Sequence, residues 1–428
     1  MTLNRKISPD VVEIKSINIK EAQENILSNN IKLYTINASN EEVVKIDLVF
    51  DAGSNVQEFK SEANFTSKML SEGTSKYSAA ELAEKLDFYG AYFQTKSTTE
   101  EAIITLYCLN KHLNNCLPFI VEILTDSIFP DKDLAILKKN AIQNLKVNEE
   151  RNSYLVRRIF NQAIFGENTL YGSYSNIADI ESIRQEQLAG FYKKNYQNGC
   201  KYILASGYID NETIKIINTN FGSNTFKVYD NLTYNYVAKD VKPTDLYIDK
   251  SNSVQSAIRI GRRLFNRNHP DFREMQLLNL ILGGYFGSRL MKNIREEKGL
   301  TYGIYSAIEA YPFDACWYID TEMNNDLCKI GIKEIYKELA RLRDEPIGER
   351  ELKTAKNYLL GSFLRSIDGP FSLADRFKIL KDFDLEYPYL YEFIELIKNT
   401  TSERIKELAN LYLKEEDLTS VIVGSKEI

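Results

Sequence analysis

Apolar positions recur along this chain in two rhythms, every second residue over short runs and every third or fourth over longer ones, and the order of the rhythms is itself repeated. After a polar lead-in, residues 44–50 read as a strand that ends at Asp51-Ala52-Gly53, followed by an irregular stretch and a helix over 62–70. Ser78 caps a second helix that stops at Gly90. Strands over 91–98 and 102–108 come next, then helices over 113–127 and 131–151. The second half runs in the same order: a strand over 254–261, a helix over 272–282, a helix ending at Gly299 and a strand after it, a strand over 315–323, and helices over 326–342 and 348–365. Gly90 and Gly299 hold the same place. The ends also correspond, since L-A-G-F-Y-K before Y-I-L-A-S-G echoes L-A-N-L-Y-L-K before T-S-V-I-V-G-S. An offset of slightly more than 200 residues exceeds the unit of any solenoid and means two copies of one domain. The fold class expected is α+β, with each domain a mostly antiparallel sheet carrying helices on one face. The expected division is 1–226, a linker over 227–251 containing Pro243 and many polar residues, and 252–428.

Length agrees, since 428 residues are too many for one ordinary core. With 43% hydrophobic and 27% charged residues and no long biased tract, the chain reads as folded and globular. Its net charge of −6, from 60 acidic against 54 basic residues, provides no basic footprint for nucleic acid. The N-terminus is charged where a signal peptide needs an apolar run, and no stretch approaches 18 uninterrupted apolar residues, so no membrane segment and a cytoplasmic location are expected. Five cysteines without a C-x-x-C pair argue against a disulfide framework or a thiolate metal site. His112 and His269 both lie in expected turns without a second ligand at metal spacing, so no metal is expected in this chain.

The most distinctive chemistry lies in residues 283–302, G-G-Y-F-G-S-R-L-M-K-N-I-R-E-E-K-G-L-T-Y. Gly283, Gly284 and Gly287 imply an adaptable loop that lets a ligand backbone come near. Ser288 is an N-cap candidate for the helix that Gly299 ends, which puts Arg295 on its last turn and Tyr302 at the start of the next strand. Around such a corner a guanidinium and a phenol can converge on one carbonyl or carboxylate, one as an ionic donor and the other as a neutral donor. The competing reading is a surface arginine beside a half-buried tyrosine.

These residues carry a resemblance. R-E-E-K-G-L-T-Y-G-I-Y-S resembles the second-domain signature of the pitrilysin and mitochondrial processing peptidase family of zinc peptidases, whose subunits contain two such α+β domains. M-L-S-E-G-T, A-A-E-L-A-E-K-L-D-F-Y-G-A and Y-G-S-Y-S-N-I-A-D-I resemble stretches that follow its zinc motif. The resemblance runs nearly end to end. It implies substrate binding by Arg295 and Tyr302 and a glycine-rich loop at Gly283, Gly284 and Gly287. In the family the catalytic motif is H-x-x-E-H, two histidines that bind zinc and a glutamate that activates water. Here Asn64, Phe65, Thr66, Ser67 and Lys68 occupy those five places, and Asn144 stands where the third ligand, a glutamate, is expected. Asn64 is at best a weak oxygen ligand, Lys68 brings a cation to the zinc position, and Ser67 is no general base.

A degenerate zinc site beside a retained arginine and tyrosine resembles the non-catalytic subunit of two-chain family members. The resemblance therefore implies a homologous zinc-bearing partner, with zinc only in that partner, and an unstructured peptide as substrate. A donor pair can orient a peptide carbonyl and stabilise its oxyanion without metal on its own chain. Two other readings compete: a non-enzymatic scaffold or peptide-binding module, for which a homodimer is one assembly, and new chemistry at Ser67 and Lys68.

Overall fold

A computed structural model describes residues 17–197, 199–223 and 236–425. Among them the first half forms a six-stranded sheet in the order β1-β2-β6-β3-β5-β4 from Gln23–Ile26 (β1), Lys32–Asn37 (β2), Val43–Phe50 (β3), Tyr92–Ser97 (β4), Ala102–Leu109 (β5) and Tyr202–Gly207 (β6). The second half forms a five-stranded sheet, β7-β11-β8-β10-β9, from Asp245–Asp249 (β7), Gln255–Leu264 (β8), Thr301–Ala310 (β9), Ala315–Asn324 (β10) and Thr419–Gly424 (β11). Apart from β1 the two orders are the same. In each sheet one neighbouring pair is parallel, β2 with β6 and β7 with β11, and the remaining pairs are antiparallel. The expected α+β architecture of two homologous, mostly antiparallel sheets is what the chain adopts.

The expected linker 227–251 differs in part. Residues 227–235 lie outside those described, and 245–249 are β7, an edge strand of the second sheet. Its burial is slight, which is why it reads as polar connection in sequence. The lead-in likewise contains a hairpin, β1 paired with β2 across a turn where Asn30 takes φ 68°.

Helices α1 (Glu62–Met69), α2 (Ala79–Phe88), α3 (Leu113–Asp126), α4 (Asp131–Glu149), α5 (Asn152–Phe165), α6 (Ile177–Ser182), α7 (Gln185–Asn195) and α8 (Asn211–Phe221) belong to the first half. The second contributes α9 (Phe272–Asn279), α10 (Cys328–Asp344), α11 (Glu349–Arg365), α12 (Pro370–Asp382), α13 (Pro388–Asn399) and α14 (Ser402–Tyr412). Alternation along β3 sends Val44, Ile46, Leu48 and Phe50 into a core with α1, α2, α3 and α7.

The opposite faces are covered by exchange. Helix α12 of the second half lies on the first sheet, where Phe377 meets Tyr34 at 4.8 Å between ring centroids and joins Val49, Tyr202 and Leu204 in one cluster. Helix α5 of the first half lies on the second sheet, where Val156, Phe160 and Phe165 pack with Cys316, Tyr318 and Val423. Charge is enclosed at both seams. Lys45 pairs with Asp47 at 3.0 Å and reaches Asp375 of α12 at 3.1 Å. Arg259 pairs with Asp320 and lies over the Tyr318 ring at 3.9 Å.

Candidate functional site

Arg295 and Tyr302 sit at a corner whose backbone the local sequence dictates. Helix α9 runs on as a π-helical turn over Leu280–Gly284, and a second π-helical segment, Met291–Glu297, carries Arg295 in its last turn. Such wide turns are rare and recur at functional sites. Gly299 ends the helix at φ 64°, a left-handed conformation that costs an L side chain, and Leu300 N–H donates to the Ile294 carbonyl at 3.0 Å to close the end. Tyr302 is then the second residue of β9, the free edge of its sheet.

Exposure separates the two readings of the pair. Tyr302 is 91% exposed, so the half-buried tyrosine of the competing reading does not occur. Arg295 has no carboxylate partner among the described residues, and its guanidinium stacks on Phe286 at 4.9 Å from the ring centroid. Phe286 is itself exposed. Sequence reasoning missed it, although an aromatic residue between two glycines in a loop was available as a signal.

The glycines do something other than expected. Gly283 and Gly284 belong to the π-helical turn, not to a free loop, and a methyl on Gly283 would come within 2.5 Å of the Ser306 backbone nitrogen. Gly283 is thus required where helix crosses strand. Gly287 lies in the turn proper, against the ring of Tyr285. Ser288 precedes the helix as expected, yet its hydroxyl is buried without a partner, so it does not cap. Asn279 pins the crossing: its amide donates to the Ser306 carbonyl at 3.2 Å, its amide oxygen accepts from Trp317 at 3.0 Å, and its carbonyl accepts from the Ser306 hydroxyl at 3.1 Å.

The corresponding corner of the first half is built from α1 and β4. The Thr95 hydroxyl donates to the Ser67 carbonyl at 2.8 Å, the counterpart of the Ser306 to Asn279 bond. Asn64 and Lys68, one turn apart, are exposed, as is Asn144 on the neighbouring α4. Phe65 and Thr66 are buried. Among the described residues no group of three His, Cys, Asp or Glu side chains could hold a metal ion. Glu62, at the start of α1, is committed: its carboxylate accepts from Glu58 N–H at 2.9 Å, and burial holds its pKa above the usual range. The residues present do not fit zinc. Ser67 is buried beside Tyr196, whose phenol burial pushes well up, while Lys68 faces solvent. Consecutive helix positions face different directions, which tells against the competing reading of Ser67 and Lys68 as a cooperating pair.

A cleft of about 860 Å³ opens between the halves, and none of Asn64, Lys68, Asn144, Arg295 or Tyr302 lines it. Its wall holds Glu101 of the first half against Lys378 of α12, which also binds Asp382 at 2.8 Å. Burial raises the Glu101 carboxyl to about 7, with Lys378 opposing the shift and Asp382 adding to it. This cluster unites residues far apart in the chain, and no local pattern announces it.

Comparison with known families and structures adds the rest. Residues 32–176 match the family model described as Insulinase (Peptidase family M16), and residues 182–359 match the one described as Peptidase M16 inactive domain. An uncharacterized zinc protease YmxG of Bacillus subtilis is 24% identical over 364 residues, covering 85% of this chain and 88% of that protein. The non-peptidase homolog YmxG of Helicobacter pylori is 23% identical over 391 residues, covering 85% and 84%. A crystal structure of a peptidase M16 inactive domain from Pseudomonas fluorescens superposes with a TM-score of 0.85 at 22% identity, over 95% of this chain and 98% of that one. A Helicobacter pylori protease superposes with a TM-score of 0.83 at 15% identity, over 95% and 100%. These superpositions establish the shared fold.

Proposed function

This chain belongs to peptidase family M16, as an inactive homologue, and from that premise we propose that it is the non-catalytic subunit of a two-chain zinc peptidase. A partner with an intact H-x-x-E-H motif supplies zinc and water activation, and this chain supplies peptide binding. The observation that carries the reading is the unspent pair: Tyr302 stands almost fully in solvent, and Arg295 is held by an aromatic face without an acid.

In this reading Tyr302 donates its hydroxyl to the scissile carbonyl, and its donation strengthens as charge develops on that oxygen. Arg295 binds the neighbouring peptide carbonyl or a carboxylate, and Phe286 limits the directions its guanidinium can take. None of Asn64, Lys68, Asn144, Arg295 and Tyr302 lines the cleft within the single chain, in keeping with a chamber whose other wall is a second chain. No helix among the described residues is long and apolar enough to cross a membrane.

The test is reconstitution. Purified alone, the chain should hold no stoichiometric zinc and leave unstructured peptides intact. Mixed with a homologous zinc-bearing chain it should form a complex by size-exclusion chromatography that cleaves peptides and stops on chelation. Chelator-sensitive hydrolysis by the single chain would overturn the proposal.

A further inference from the structure

The helix that carries Arg295 also forms the wall of a second pocket, lined by side chains that the peptide reading does not use. Arg289 and Leu290 open this helix, and the pocket lies between it, α10 and α11, with a volume of about 370 Å³. Five of its lining side chains are cations, Arg289, Lys292, Lys298, Lys337 and Arg341, against three carboxylates, in a chain whose net charge is −6. Glu334 and Glu345, which pair with Lys298, Lys337 and Arg341 from beside the lining, bring the acids level with the cations, so the site rests on which donors are left over.

Two of those carboxylates are already used. Glu351 accepts both Nε and Nη2 of Arg289, at 2.8 and 3.0 Å. Glu338 accepts from Asn293 at 2.7 Å and from Arg341 at 3.0 Å. Lys298 and Lys337 share one further carboxylate, Glu334, at 3.1 and 3.7 Å. Donors remain. Lys292 has no ion-pair partner among the described residues, and Arg289, only 9% exposed, keeps a buried Nη1 without an acceptor.

The first half shows that the fold does not require this polar network. Helix α3 begins at Leu113 and α10 at Cys328, so the position of Glu338 is that of Ile123, and both side chains are 1% exposed. A buried carboxylate in place of a buried isoleucine is costly unless it is paired and hydrogen-bonded, as Glu338 is by Arg341 and Asn293.

We propose that this pocket binds a small phosphate-type anion, free or as the phosphate group of a small molecule. A tetrahedral anion accepts from several directions at once, which suits donors arriving from the 291–297 helix on one side and from α10 on the other. A planar carboxylate is met in one plane, as Glu351 already is by Arg289. Binding would complete the acceptor set of the helix whose far end carries Arg295, and the site itself does not depend on the peptide role proposed above.

The full chain, without peptide or partner, is titrated with inorganic phosphate and with pyrophosphate at constant ionic strength by calorimetry, with sodium chloride as the control. Saturable binding at one site per chain is expected for at least one probe. Lys292→Ala combined with Lys337→Ala should weaken it at least about tenfold, since each charged hydrogen bond is commonly worth that much. Both side chains are exposed, so an unchanged melting curve in chloride confirms an intact fold. Failure of both probes to saturate, or an unaltered titration in the double variant, overturns the proposal.

Discussion

Two corners of this molecule share one design and differ in what they expose. At the first, α1 meets β4 through Thr95 and Ser67; at the second, α9 meets β9 through Ser306 and Asn279. A left-handed glycine, Gly90 at φ 61° or Gly299 at φ 64°, ends the following helix in both halves. The backbone is therefore retained on both sides. On the first corner the outward positions hold Asn64 and Lys68, which suit no metal; on the second they hold Arg295 and Tyr302, to which the proposal gives the peptide. Packing residues and chemical residues have been separately kept and lost, because buried contacts maintain a fold whether or not its surface still reacts.

The largest way to break this contrast is to repair the first corner. Asn64→His, Lys68→His and Asn144→Glu alter exposed positions only, and the triple variant should hold about one zinc per chain by metal analysis, where the unaltered chain should hold none in stoichiometric amount. A repaired chain that stays metal-free would mean the backbone has also drifted.

Next comes the second corner in the reconstituted pair. Tyr302→Phe should lower kcat by about 10²–10³, the usual loss for one oxyanion-type donor, whereas a change confined to KM would reveal ground-state binding only. Arg295→Ala should weaken kcat and KM together.

Stability effects are smaller and should separate the glycines. Gly283→Ala forces a methyl onto the Ser306 backbone and should cost about 1–3 kcal/mol, read as a lowered urea midpoint. Gly299→Ala meets open space and pays only for its left-handed backbone, about 1–2 kcal/mol.

At the seam between the halves, Glu101 binds its proton more tightly in the folded chain than in the unfolded one. Its contribution is therefore fully present below about pH 4.5 and is lost as pH rises through about 7. That loss has a slope of at most about 1.4 kcal/mol per pH unit, and Glu101→Gln should flatten it in melts taken across the window. The smallest effect is expected for Tyr302→Phe and Arg295→Ala on folding, within about 0.5 kcal/mol, because neither side chain is built into the core. A collapse of the melting temperature in either would make the pair structural.

Much of this was legible in sequence because it depends on local rules. Gly90 and Gly299 betray the repeat since few residues other than glycine accept a left-handed helix end, and the order of strands and helices follows apolar spacing. Arg295 and Tyr302 were found at their observed places, on a last helical turn and at a strand start. What escaped depends on partners distant in the chain. Nothing near Lys45 announces Asp375, and nothing near Phe160 announces Tyr318. The pair Gly283-Gly284 suggested a loop because glycine usually marks one, whereas the requirement is a crossing strand whose contact, Ser306, lies more than twenty residues onward, a distance that spacing cannot convey. Ser67 looked solvated beside a lysine, and the burial that removes it from chemistry comes from Tyr196, far along the chain.

The exchange of α5 and α12 sets how this protein could be taken apart. A cut placed between the halves leaves each fragment with its own sheet but with the helix that clothes the other one, so Phe160 and Phe377 would each be carried away from the surface they fill. Either fragment alone would present one bare apolar face to water. Expressed together, they would have a strong reason to find each other. The molecule is, in effect, a dimer whose two subunits have been written as one sentence, and a split reporter built on that cut would signal reunion without any added affinity tag.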